Sequence, residues 1–262
     1  MHRLYQQDWN RGRGMTHSPI ITAISVNHNT SAYMELMLRS FDAMHPESPI
    51  STWILYDNQS TDDIQQLHDY ATHRGTPLTQ SGYSLTTAYN SHGLLLQRGA
   101  LAHPTSDFYL LLDADVVFTQ PNTIQRMYAE LTNHPQAWAI GVMPSWDGIA
   151  PIPTEVRQQN PDICDARLHP CCALIRNTPV VQCAIALVGF NTVDYHWPDR
   201  AEYLDTAKLL TRVLSTHGLY HHVSNDIMVK HFFCTSYEWD DPETKAHKQT
   251  DRDRRLAILR HA

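Results

Sequence analysis

Apolar residues run through this chain in two rhythms. Unbroken apolar or β-branched stretches at 20–26, 52–56, 107–112 and 137–142 read as buried strands, and the first three stop at Asn27, Asp57 and Asp113. Between them, Met34, Met37, Leu38, Phe41 and Met44 recur at helical spacing behind the capping residues Thr30 and Ser31, and Ile64, Leu67 and Ala71 mark a second helix. A short extended piece is expected at 77–79 and a helix at 87–101, despite Gly93 and Gly99. Farther on, the pattern predicts a long loop over 144–170, a strand at 169–176, and a helix at 203–214 that Gly218 terminates. Strands alternating with helices imply right-handed crossovers and a mainly parallel α/β sheet, whose ligands sit at the carboxyl ends of the strands.

Composition narrows the classes. A chain of 262 residues with 42% hydrophobic content can bury one large core. A net charge of −7 offers no basic field for a phosphate backbone, so nucleic acid is not the expected partner. Cys164, Cys171, Cys172, Cys183 and Cys234 form neither an even disulfide framework nor paired C-x-x-C ligands, and they read as buried thiols of a reducing compartment. No stretch approaches the roughly 20 apolar residues of a membrane span, and the polar start lacks a signal-like apolar core. A soluble cytoplasmic protein is the expectation. Residues 1–15 are expected to be a flexible tail, with Met15 an alternative start, and 16–240 a catalytic domain divided near 144. Residues 241–262 are expected to be a charged tail.

Two acidic triplets share the form D-x-D. Asp251-Arg252-Asp253 lies in the charged tail, whereas Asp113-Ala114-Asp115 follows a buried apolar run. Two carboxylates projecting together where a strand meets solvent repel unless a cation is shared, and hard oxygen ligands suit Mn²⁺ or Mg²⁺ bridging a diphosphate. The bland reading is that both acids cap the following turn.

Tyr56-Asp57-Asn58-Gln59-Ser60-Thr61-Asp62-Asp63 resembles the V-D-N-G-S-T-D-D segment of family 2 glycosyltransferases, which adopt the GT-A, Rossmann-like fold. The likeness extends over the strand ending in Asn27 and Asn29, the helix of Asn90 to Ala100 that carries His92, and the D-x-D. It implies a metal-dependent transferase moving a sugar from a nucleotide-diphosphate donor, such as a UDP-sugar, to a hydroxyl acceptor on a glycan, lipid-linked or other molecule, with inversion. By that likeness Asn27, Asn29, Asp57, Asn58 and His92 would line the nucleotide. Asp113 would serve both ribose and metal, and Asp115 the metal. Gln59 stands where the family has Gly.

In the second half, Val188-Gly189-Phe190 is similar to the family's G-G-F segment, but the Glu-Asp pair that should follow is absent. Asp205 is the candidate base, with Glu202 as alternate, against the plain reading that Asp205 complements a helix dipole. His231 resembles the late metal-binding His of many GT-A enzymes, with His221 and His222 as rivals. Trp146 and Asp147 are candidates for sugar or acceptor contact. Two other classes remain open at this point. Leu110-Leu111-Leu112-Asp113-Ala114-Asp115-Val116-Val117 also resembles the haloacid-dehalogenase phosphatase motif, although no later G-D-x-x-x-D is found, and a non-catalytic nucleotide-binding protein would share most of these features. A nucleotidylyltransferase would need a Gly-rich basic loop where Asn27-His28-Asn29-Thr30 stands.

Overall fold

The computed structural model describes residues 18–83, 88–236 and 241–261, so the expected tail at 1–15 and the start of the helix expected from 87 lie outside the described residues. The first half follows the apolar rhythm closely. Strand β1 (Ile21–Asn27) leads into α1 (Ser31–Met44), then β2 (Thr52–Asp57), α2 (Gln65–His73), β3 (Leu78–Gln80), α3 (Ala88–Ala102) and β4 (Phe108–Asp113). A two-residue strand, β5 (Val116–Val117), precedes α4 (Thr123–Thr132) and β6 (Ala137–Ser145).

The second half is less regular. Helix α5 (Thr154–Gln159) and a 3-10 turn (Pro161–Ile163) lie within the stretch expected to be loop, followed by β7 (Cys172–Arg176) and α6 (Pro179–Val188). Then come β8 (Val193–His196), β9 (Ala201–Leu204), α7 (Lys208–Thr216), β10 (Tyr220–His231) and α8 (Pro242–Arg260). The helix expected at 203–214 is thus displaced. Its first residues belong to β9, because Ala207 turns left-handed at φ +65° and the helix starts only at Lys208.

The large sheet runs β3-β2-β1-β4-β7-β6-β10-β5, and β8 and β9 form a separate hairpin. Parallel pairings join β3, β2, β1 and β4, and also β6 and β10, while β7 runs antiparallel between β4 and β6. Chain order reverses between β1 and β4, which opens a crevice at their carboxyl ends. One core face contains Met34, Phe41, Leu110 and Phe118, and the other contains Leu95, Tyr109, Trp138 and Leu210.

The stretch expected to be a charged tail is α8, which docks on α1. Leu256 is buried with Tyr33, Leu36, Val117 and Phe232, and Arg260 reaches Glu35 at 2.5 Å. Asp241 caps its first turn by accepting from the Glu243 and Thr244 N–H groups. The cysteines divide: Cys164, Cys171 and Cys172 are buried as expected, but Cys183 and Cys234 are exposed. Among the described residues no helix is long and apolar enough to cross a membrane.

Candidate metal centre

Strand β4 is buried until its last residue, where the chain emerges from the sheet and delivers Asp113. Ala114 lets it turn, and β5 then pairs antiparallel with the end of β10, setting His231 opposite Val116. The Phe232 N–H donates to the Asp115 carbonyl at 3.1 Å, which locks the two segments together. In consequence, His231 Nε2 lies 3.0 Å from Asp115 Oδ1 and 3.6 Å from Asp113 Oδ2. The Thr235 hydroxyl donates to Asp115 Oδ2 at 2.9 Å. His92, on α3, brings Nε2 to 3.7 Å from Asp113 Oδ1. The next residue, Gly93, lets α3 lie against the backbone at Phe190 and Asn191, since a Cβ there would stand 2.6 Å from the Phe190 carbonyl oxygen.

Electrostatics make this cluster unfinished. Burial pushes the Asp113 carboxyl up, and the pull of His92 and His231 does not offset it. Burial also opposes ionisation of Asp115, yet the charge and hydrogen bond of His231 outweigh it and hold Asp115 low. His231 is raised because the two carboxylates outweigh its own desolvation. One ligand-capable atom from each of Asp113, Asp115 and His231 lies within 4.8 Å of the others. His231 Nδ1 is buried and has no hydrogen-bond partner.

The rival histidines are engaged elsewhere on β10. His221 Nε2 meets the Cys164 carbonyl at 2.9 Å, and His222 Nε2 meets Glu130 at 2.7 Å. The second acidic triplet is structural: Asp251 pairs with Arg254, Arg255 and Lys230 on or beside α8.

At the ends of β1 and β2 the polar groups satisfy one another. Asn27 Nδ2 donates to Asp57 Oδ1 at 3.0 Å and lies within bonding distance of Ser31 and Ser60. Gln80 donates to Asp57 Oδ2 at 3.0 Å. Asn58 donates to Ser91 and accepts from Ser81, while Asn29 accepts from the Thr61 N–H at 2.7 Å. Asn29 and Gln59 both turn left-handed, at φ +54° and +53°, so Gln59 keeps a glycine-favouring turn at a strain cost of about 1–2 kcal/mol.

Asp205 stands before α7 and not within its first turn. Its Oδ2 meets Arg167 at 2.6 Å, its Oδ1 accepts from the Thr206 N–H at 2.7 Å, and Arg167 also donates to the Thr206 carbonyl. Arg167, the partner of Asp205, also acts on Asp113, where its charge favours the ionised form. Glu202 is on the exposed hairpin, paired with Arg212 at 2.6 Å. Trp146 lines a cavity of about 340 Å³ with Lys230, His231, Lys248 and Asp251. Asp147 accepts from the Ile149 and Ala150 N–H groups and from Ser145, which hold its carboxyl down at about 2. Its oxygens thereby shape their own loop.

Sequence reasoning missed His169, Cys171, Arg167 and Thr235 near this centre. Their signal was slight: His169-Pro170-Cys171-Cys172 concentrates potential ligands immediately before a strand.

No protein-family model matches the sequence, and neither does any curated protein. Solved structures do match in three dimensions. The fold is similar to that of a mannosyltransferase from Pyrobaculum calidifontis in complex with GDP-Man and Mn²⁺, at TM-score 0.55 and 14% identity, over 100% of this chain and 82% of that one. It is also similar to glucosyl-3-phosphoglycerate synthase from Mycobacterium tuberculosis in complex with Mn²⁺, UDP-glucose and phosphoglyceric acid, at TM-score 0.51 and 14% identity, over 89% of this chain and 79% of that one. The chain therefore has the GT-A fold, the mostly parallel sheet flanked by helices that its sequence implied.

Proposed function

We propose that this protein is a metal-dependent glycosyltransferase that moves a sugar from a nucleoside-diphosphate donor to a hydroxyl acceptor. The observation that carries the reading is the meeting of Asp113, Asp115 and His231 at the strand ends of a GT-A sheet, with donor atoms within 4.8 Å. The set fits Mn²⁺ or Mg²⁺: two hard carboxylates, one imidazole, and a buried excess of like charge that a cation relieves. When bound, such an ion supplies charge neutralisation for the departing diphosphate. The solved structures of similar fold hold GDP-Man or UDP-glucose, so a nucleoside diphosphate is the part of the donor on which they agree.

The remaining residues divide the work by position. Asn27, Asn29, Asp57, Asn58 and His92 border the crevice where the nucleoside would lie, and the bonds of Asn27 to Asp57, of Asn58 to Ser91 and of the Thr61 N–H to Asn29 fix its shape in advance. Asp205 takes the acceptor hydroxyl's proton. The Arg167 guanidinium and the Thr206 N–H each hold one of its oxygens, which fixes the carboxylate plane. A single displacement assisted by that carboxylate inverts the anomeric centre. Trp146, half-exposed and lining the cavity, offers an apolar face to a sugar ring.

A panel of UDP- and GDP-sugars tested by thermal shift with Mn²⁺, and then by donor hydrolysis, checks the reading. A donor-dependent rise in melting temperature and turnover abolished by EDTA are expected. Absence of any shift across the panel, or turnover that survives EDTA, refutes it. Binding without turnover of any donor would identify a nucleotide-binding protein instead.

A further inference from the structure

His231 belongs to two groups of potential ligands. Besides the acidic pair, it lies with His169 and Cys171 in a cluster whose ligand-capable atoms are also within 4.8 Å of one another. The chemistry of this second group is different: imidazole, thiol and imidazole, with Cys171 and His231 buried. The His169 and His231 rings face each other edge to face at 5.3 Å. His169 Nδ1 accepts from the Cys171 N–H at 3.2 Å, which ties the imidazole to the residue bearing the thiol. His231 Nδ1 is buried without a hydrogen-bond partner, an uncompensated polar atom in a place where polar atoms are normally satisfied.

We propose that His169, Cys171 and His231 form a second cation site, for a borderline-soft divalent ion of the Zn²⁺ class, adjoining the oxygen-rich site of Asp113 and Asp115. Two imidazoles and one thiolate are a donor set that suits Zn²⁺ and disfavours Mg²⁺, and three protein ligands leave a fourth tetrahedral position open. Binding expels the thiol proton, which goes to solvent. Since His231 is common to both groups, occupation of one alters the ligand set of the other. This makes the hard-ion site sensitive to thiophilic metals.

The test does not depend on sugar transfer. Co²⁺, a spectroscopic substitute for Zn²⁺, is titrated into the full chain under reducing conditions. A sulfur-to-cobalt charge-transfer band is expected in the wild type. It should disappear in Cys171→Ser, whose circular dichroism spectrum should match the wild type, and persist in Asp115→Asn. His169→Gln, measured by equilibrium dialysis, should weaken Co²⁺ binding by about tenfold or more. No sulfur-to-cobalt band in the wild type, an undiminished band in Cys171→Ser, or unchanged affinity in His169→Gln overturns the site. Loss of the band in Asp115→Asn overturns its separation from the acidic pair.

Discussion

Two polar regions meet at the same sheet edge and solve opposite problems. At the ends of β1 and β2, Asn27, Asp57, Asn58, Ser60 and Gln80 donate to and accept from one another, so the region is complete as the chain folds. At the ends of β4 and β10, two carboxylates share one imidazole, Asp113 is held above its ordinary range, and a buried nitrogen has no partner. The first arrangement builds a shape. The second leaves a charge to be supplied from outside, and this is why polar residues of similar type have different expected roles.

Substitutions should separate the two regions. The largest effect is expected for Asp113→Asn, which removes a carboxylate whose burial opposes ionisation. Turnover should fall by about 10³-fold or more, the scale of several kcal/mol of metal-supplied charge stabilisation, while the metal-free melting temperature stays level or rises. A drop in metal-free stability would show that the acidic pair is structural after all. Next, Asp205→Asn keeps the shape of the side chain and removes its basicity. A fall in turnover of about 10²-fold with donor affinity unchanged is expected from steady-state kinetics and calorimetric titration, and a fall of less than tenfold would move the base to Glu202.

Asn27→Ala addresses the completed network. It leaves Asp57 and the serines short of a donor in a buried place, and should lower stability by about 1–3 kcal/mol in urea unfolding, with the metal requirement unaltered. The smallest effect concerns the docking of α8. Burial pushes Glu35 up, but Arg260 and Arg39 outweigh it and hold its carboxyl below the ordinary value of 4.5. The resulting stabilisation is complete above that unfolded value and is lost as pH falls through the lower folded one. Arg260→Ala, removing the more exposed partner, should cost about 1 kcal/mol at neutral pH, and the difference from wild type should shrink in acid. A difference that grows in acid would contradict the pairing.

How much could be read in advance follows from the kind of signal each region carries. β1, β2 and β4 announce themselves as apolar runs ending in a polar residue, and Asp113 and Asp115 inherit their meaning from that context. Strand β9 was missed because the helical face of Thr206, Leu210, Val213 and Leu214 was carried back to Tyr203, and only the left-handed Ala207 divides strand from helix. Helix α6 has apolar residues on several sides and no clear stripe, although Thr178 before Pro179 was a legible start. Helix α8 buries little beyond Leu256, so its charge obscured its helicity; Asp241 before Pro242 was its signal. His169 and Cys171 gain their position only when β7 is laid between β4 and β6, which no local pattern encodes.

The separation of Asp115 from His231 by 116 residues has a consequence for how the molecule is assembled. A nascent chain emerging from the ribosome can order β1 through β4 from neighbouring segments, but it holds both carboxylates without their imidazole until β10 is synthesised and threads in beside β6. Closing so large a loop makes that parallel pairing a high-contact-order event. The meeting of Asp113, Asp115 and His231 therefore forms late, and its appearance during refolding marks the insertion of β10.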